Sequence, residues 1–294
     1  DCAGICNGTS VPDCAGICDG SSISGCMDVN FTEYDPNATC SDASVCITNV
    51  VDGCITSSAM NYNLQANTDD GSCVYLADKV DLFFSEYAEG SSDNKYLEIY
   101  NPSANDVDLS NYALTRVYNA PATPGVYEVW VDFPVGAIVT AGDVFIVSHG
   151  SADAVILAEA DYTYSSLSNG DDGYALVYGV KPTSPISENA TNEYVILDRL
   201  GDFDADPGSG WDVAGVSDAT KDHTLVRKCD VTQGNTDWNL SAGTTTQDSE
   251  WEVLPQNDWN NVGQHTNPCP TLLGCMDANA CNYNSLANQD DGNC

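Results

Sequence analysis

The side chains in this chain that could do chemistry are acidic residues in short, regular spacings. Asp202, Asp204 and Asp206 alternate within Gly-Asp-Phe-Asp-Ala-Asp-Pro-Gly. Alternating aspartates in a turn set several carboxylates around one point, and calcium takes oxygen ligands in that arrangement. The spacing departs from an EF-hand, because Pro207 precedes Gly208 and no glutamate stands at the twelfth position. The competing reading is a solvated acidic loop. A second set lies near the chain ends. Asn67, Asp69 and Asp70 precede Cys73, Asn288, Asp290 and Asp291 precede Cys294, and Asp28 and Asp277 each follow an opening cysteine. Adjacent carboxylates repel unless a cation pairs with them or they face water. Calcium is the expected cofactor here too, against the plainer reading that Asp-Asp-Gly only makes a turn. Asp171 and Asp172, before Gly173, read as a plain hairpin turn.

Catalytic groupings are not evident. His149, His223 and His265 are far apart, and none lies in a nucleophile elbow or a zinc-hydrolase motif. His223 with Asp222 reads as a strand-edge pair. The cysteines lack the basic surroundings that activate a thiol. No catalytic residue and no enzyme activity are assigned.

The elements that hold these residues must tolerate a strong negative charge. The chain has 294 residues, 44 acidic against 8 Lys or Arg, for a formal net charge of -36. Such self-repulsion destabilises a compact state, salt screens it and bound cations offset it. Nucleic acid and anionic membrane are excluded as partners, since both need a basic surface. No run reaches membrane-spanning length. Fourteen cysteines, most in short polar stretches among Asp, Asn, Gly and Ser, read as disulfides rather than zinc ligands, and place the protein in an oxidising compartment. The chain opens and closes inside cysteine patterns, which reads as a processed or excised stretch of a longer protein.

Cysteine and base content divide the chain. Residues 1–74 hold nine cysteines and no Lys or Arg; 75–267 hold all eight bases, all five Trp and only Cys229; 268–294 hold four cysteines and no base. Asp-Cys-Ala-Gly-Ile-Cys occurs twice, at 1–6 and 13–18. A longer repeat occupies 53–73 and 274–294, with outer cysteines nineteen apart, Asn-Tyr-Asn at the centre and Asp-Asp-Gly near the end. A degenerate copy starts at Gly25 and ends near Cys46. The expected organisation is therefore short repeats over 1–24, acidic cysteine-rich repeats over 25–74, a body over 75–267 and a last repeat over 268–294. Bridges Cys54–Cys73 and Cys275–Cys294 would each close a loop worth roughly 3 kcal/mol in chain entropy. Tyr62 or Tyr283 would serve as a miniature core. Cys26–Cys46 and Cys14–Cys18 follow by analogy. Cys229 is expected to bridge to Cys269 or Cys281, leaving a cysteine over there and another, such as Cys2 or Cys40, at the start. Five Asn-x-Ser/Thr sequons stand at Asn7, Asn30, Asn37, Asn189 and Asn239.

The body reads as strands. These are 80–89; 95–101, with Tyr96 and Glu98 on one face and Leu97 and Ile99 on the other; 126–133, with Tyr127, Val129, Val131 and Phe133 sharing a face; 143–150 and 174–180 as buried central strands; and 192–200 and 223–229. Residues 151–160 could form a turn or two of helix. Trp130, opposite the apolar face, is a candidate for stacking on sugars, whereas Trp211, Trp238, Trp251 and Trp259 read as packing. Many short strands separated by Asn, Gly and Pro turns favour a sandwich or barrel.

Ser85 and Glu86, then Lys95, Leu97, Glu98, Ile99, Tyr100 and Asn101, then Val107, Asp108, Leu109, Ser110 and Tyr112 resemble the lamin-tail domain, an immunoglobulin-like β-sandwich. Gly210 to Val213 and His223 to Lys228 resemble the end of bacterial copies, so the resemblance spans about 78–266; Cys229 departs from it. The flanks resemble acidic cysteine repeats of large secreted proteins from Bacteroidota-type bacteria. The resemblance implies an all-β, non-catalytic extracellular module with stapled, turn-rich repeats at both ends. As a surface or filament segment it would bind copies of itself or other surface proteins; its alternatives are an accessory module of a secreted nuclease or phosphatase, and a module that binds glycans.

Overall fold

The computed structural model describes all residues except 5, 120, 168, 183–184, 188–192 and 285–286, so the Asn189 sequon lies outside the described residues. The described chain divides into two compact units, Asp1–Cys73 and Val74–Cys294.

The second unit is built on nine strands of four or more residues: β1 Phe83–Glu89, β2 Lys95–Tyr100, β3 Tyr112–Val117, β4 Val129–Asp132, β5 Val144–Ser148, β6 Gly173–Gly179, β7 Tyr194–Leu200, β8 His223–Arg227 and β9 Trp251–Pro255. One sheet has the order β4-β3-β6-β7. The other places the two-residue strand Tyr162–Thr163 beside β5, then β2, β1, β8 and β9. All pairings among the nine strands are antiparallel. This is an all-β, immunoglobulin-like sandwich, and the chain carries small disulfide-stapled repeats toward both of its ends.

Burial explains the strand patterns. Every residue of β1, β2, β3 and β6 is buried, so these strands are covered on both faces, polar residues such as Glu86, Glu98 and Arg116 included. The alternation read in 95–101 is present, yet neither face meets water. A cluster of Ala88, Tyr96, Ile146, Ala152 and Ile156, with Trp259 and Val262 packed against it, shows what covers the outer side. Ile156 lies on the short helix α1, Ala154–Glu159, which Asp153 caps through the Val155 N–H. A second helix, α2, Trp238–Ala242, has no counterpart in the sequence reading.

The stretch 126–133 is not one strand. Val126–Tyr127 pairs with Ile186–Ser187, whereas β4 pairs with β3. Between them the Glu128 N–H donates to the Arg116 carbonyl, and its carboxylate accepts from the N–H groups of Tyr118 and Ala122, turning the chain. Tyr127 and Phe133 are buried, but Val129 and Val131 are half-buried, because β4 is an edge strand.

Six disulfides staple the ends. Cys26–Cys46, Cys54–Cys73 and Cys275–Cys294 close the three long repeats, and Cys229–Cys269 fastens the segment after the body to the end of β8. The expected Cys14–Cys18 bridge does not form. Asp13 closes the turn 13–17 by accepting from the N–H groups of Ala15 and Ile17, which sets Cys18 opposite Pro12. Cys18 bridges to Cys2 instead, and Cys14 to Cys40. Cys281 is the cysteine that the Cys229–Cys269 bridge leaves over, and Cys6, rather than Cys2 or Cys40, is the unbridged one near the start; both are exposed.

Candidate functional site

The three long repeats share one backbone design. Each opens on a parallel two-residue ladder: Ser24–Gly25 with Cys40–Ser41, Asp52–Gly53 with Thr68–Asp69, and Leu273–Gly274 with Gln289–Asp290. In each, the N–H ten residues after the opening glycine (Asp35, Asn63, Asn284) donates to the carbonyl of the cysteine beside that glycine (Cys26, Cys54, Cys275). The glycine is required by close approach. A Cβ on Gly25, Gly53 or Gly274 would sit 3.1, 3.1 or 3.0 Å from the Cβ of Ala38, Ala66 or Ala287. The buried centre of each repeat is the bridged cysteine, with Cys26, Cys54 and Cys275 at most 2% exposed. Tyr62 and Tyr283 are 42% and 47% exposed, so they do not form the miniature core expected of them. A module of about twenty residues closed by a disulfide has too little interior to enclose a ring of that size.

The carboxylates of the repeats hold turns. Asp28 and Asp277 accept from the N–H and the side-chain amide of Asn30 and Asn279. Asp69 and Asp290 accept from the N–H groups of Gly71 and Gly292, and Asp70 and Asp291 from those of Ser72 and Asn293. Hydrogen bonds from the Ser72 hydroxyl and N–H hold the Asp70 carboxyl below its usual range. Asn67 and Asn288 clasp the entry to each ladder. Their oxygens accept from Val51 and Leu272, and their amides donate to the carbonyls of Asn49 and Pro270.

In the body, Asp202 accepts from the Asp204 N–H, Asp204 from Gly125, and Asp206 from Gly208. Phe203, between the first two aspartates, is inserted into the core cluster of Tyr127, Tyr194 and Val177. Among the described residues no three His, Cys, Asp or Glu side chains come together as a metal-binding group. A calcium ion at any of these turns would draw on amide and backbone oxygens beside single carboxylates.

Asp172 is not part of a plain turn. It is buried, lies 3.7 Å from the Arg116 guanidinium, and accepts from the Asn119 N–H. Burial pushes its carboxyl above the usual range. His223 and Asp222 do not pair. His223 Nδ1 lies 2.7 Å from the Lys221 carbonyl, while the Asp222 carboxylate accepts from Gln256. Trp130 is half-buried, edge-to-face with Tyr194 at 5.3 Å, with its N–H on Asp132, so it packs against the body rather than standing free on the surface.

The ionisable groups that sequence reasoning missed lie inside the sandwich. Asp198 on β7 and Arg227 on β8 form a fully buried pair at 3.1 Å that ties the two sheets together. Asp198 also accepts from the N–H groups of Phe84 and Asn235. The Arg227 guanidinium lies 4.4 Å over the Trp251 ring. On β1 and β2, Glu86 stands directly opposite Glu98. Burial, and then the neighbouring Glu98 charge, push the Glu86 carboxyl up to about 8, and burial pushes Glu98 up to about 7. Glu86 Oε1 accepts from the Tyr96 hydroxyl, while its Oε2 has no hydrogen-bond partner. Glu98 accepts from the Ser85 hydroxyl at 2.7 Å and the Gly263 N–H at 2.9 Å. His265 packs edge-on to Tyr100 and Phe83, and burial lowers its imidazole to about 4. The signal for the glutamates was present as charges interrupting apolar strands, in Phe-Phe-Ser-Glu-Tyr and Tyr-Leu-Glu-Ile-Tyr. Asp198 and Arg227 are paired inside the fold, whereas Glu86 and Glu98 face each other as like groups that burial keeps toward the protonated form.

This architecture defines a class, the all-β, immunoglobulin-like sandwich. The Lamin Tail Domain family model matches residues 76–194, a span that ends as β7 begins. The remaining strands β8 and β9 complete the six-stranded sheet beyond that span. No curated protein matches the chain. Among solved structures, a DUF4876 family protein from Bacteroides thetaiotaomicron is similar, with a TM-score of 0.40, 15% sequence identity, and coverage of 64% of this chain and 75% of that one.

Proposed function

We propose that this chain is a non-catalytic, extracellular structural or adhesive segment of a cell-surface protein, stabilised by disulfides and, in its acidic flanks, by calcium. The observation that supports it most is the disulfide set. Cys26–Cys46, Cys54–Cys73 and Cys275–Cys294 close modules whose most deeply buried described residue is the opening cysteine of the bridge, and such modules need an oxidising environment to persist. The body is compatible with the same reading, because its buried cations are held in the ion pairs Arg227–Asp198, Arg116–Asp172 and Lys95–Glu89. Its partners are other surface proteins, copies of the same chain, or surface glycans. The oxidised chain, added back to cells deleted for its gene, should bind their surface saturably and turn over no nucleic acid, phosphate ester or glycan. No surface binding, or turnover that tracks with the purified chain, contradicts the proposal.

A further inference from the structure

The three long repeats expose the same apolar positions. Two residues before the opening glycine stand Ile23, Val51 and Leu272, which are 47%, 38% and 44% exposed. Two residues after it stand Met27, Ile55 and Met276, at 48%, 45% and 49%. Nine residues after it stand Tyr34, Tyr62 and Tyr283, at 41%, 42% and 47%. In the first and last copies this tyrosine is backbone-paired opposite the opening cysteine, one residue from the methionine. Singly exposed apolar residues need no explanation on a protein surface. The same three positions, apolar and half-exposed in all three copies, are a different matter, since positions between them change from copy to copy, as at Val29, Ser57 and Ala278. The hydrogen-bonding design does not ask for apolar side chains there, because it uses backbone groups of these residues, such as the Ile23, Val51 and Leu272 carbonyls.

Charge decides what can cover this surface. Residues 1–73 carry ten Asp or Glu and no Lys or Arg, and residues 268–294 carry three Asp and no base. A second copy of any repeat would bring carboxylates against carboxylates. A partner with Lys or Arg beside apolar side chains would neutralise the rim while covering the Tyr, Met and Ile groups. We infer that each long repeat is a docking module for a basic, apolar-studded segment of another protein, with Tyr34, Tyr62 and Tyr283 as its anchors. This deepens the adhesive reading and rests on it for biological meaning, though the docking itself is testable on the purified chain.

The probes are two synthetic peptides, one alternating Lys with Leu and the other alternating Lys with Ser, titrated into the oxidised full chain at two salt concentrations. The Lys-Leu peptide should bind about tenfold more tightly. The difference should persist in high salt, and vanish in the triple variant Tyr34→Ser, Tyr62→Ser, Tyr283→Ser. Disulfide mapping checks that this variant folds, and a second variant, Met27→Gln, Ile55→Gln, Met276→Gln, should weaken the difference in the same direction. Equal binding of both peptides, or unchanged discrimination in both folded variants, overturns the inference. Self-association of the peptide-free chain that the tyrosine substitutions abolish also overturns it, by making a second copy the occupant. Failure here leaves surface binding of the whole chain standing, and failure of surface binding leaves this result standing.

Discussion

Replacing Glu86 by Gln should stabilise the body, and by more as pH rises. Glu86 faces Glu98 across the β1–β2 ladder, and its carboxyl is raised from 4.5 to about 8, by burial first and by the Glu98 charge second. A carboxyl whose folded pKa lies above its unfolded value binds its proton more tightly when folded. Its contribution to stability is full below the unfolded pKa and is lost as pH rises through the folded one. Between 4.5 and about 8 the loss runs at roughly 1.4 kcal/mol per pH unit for this one group. The accumulated loss is about 3 kcal/mol by pH 7 and on the order of 5 kcal/mol by pH 9. Glutamine is neutral throughout, and its side-chain oxygen can still accept from the Tyr96 hydroxyl. Urea unfolding at pH 5, 7 and 9, with tryptophan fluorescence as the probe, measures the difference. The native chain should lose stability steeply across this range. Glu86→Gln should lose less, so that the gap between the two widens with pH. Lower net charge alone would also help at high pH, so exposed Asp230→Asn is the control, expected to shift the curve by only a few tenths of a kcal/mol. Parallel curves for native and Glu86→Gln, or a constant deficit in the variant at every pH, would refute the reasoning.

Three further outcomes follow from the same structure. Asp198→Ala should cost about 3–5 kcal/mol, because it leaves the fully buried Arg227 guanidinium with only the part-exposed Glu250 as a counter-charge, and thermal unfolding should show this as the largest loss among single acidic-to-alanine changes in the body. Gly53→Ala should loosen only its own repeat, since Gly53 has a φ of +154° and the added Cβ meets Ala66. Its Cys54–Cys73 bridge should then reduce at lower dithiothreitol than Cys275–Cys294, and equal sensitivity would contradict the close-approach argument. Removing calcium with a chelator should expose 1–74 and 268–294 to proteolysis before the body, as expected if the base-free flanks use it; equal protection with and without chelator counts against a calcium role.

How much could be read from the sequence depends on which force set each feature. The strands around Phe83, Leu97 and Leu176 were legible because the core demands apolar runs there, and the repeats were legible because glycine, cysteine and Asn-Tyr-Asn recur at fixed spacing. The Cys54–Cys73 and Cys275–Cys294 bridges followed from that spacing. Cys14–Cys18 failed because the Asp13 turn, a hydrogen-bonding feature, sets which side chains face each other. Burial of Asp172 and Asp198 was not legible, since residue type argues for exposure, and that of Glu86 and Glu98 was signalled only by the apolar runs they interrupt, with tertiary cover by distant segments, such as that around Trp259, deciding it. The break at Glu128 was hidden for a related reason, because alternation continued through it in the sequence while the ladder did not.

The central claim, a disulfide-stapled segment outside the cell, is tested most directly on intact cells that make the protein. A membrane-impermeant amine reagent is applied, followed by alkylation without reduction and peptide mass mapping. The structure places exposed Lys181 within reach of the reagent, and twelve cysteines in six bridges. Lys181 should be labelled on unbroken cells while those twelve cysteines resist alkylation until reduced. Labelling of Lys181 only after lysis, or free alkylation of the bridging cysteines, would contradict the account.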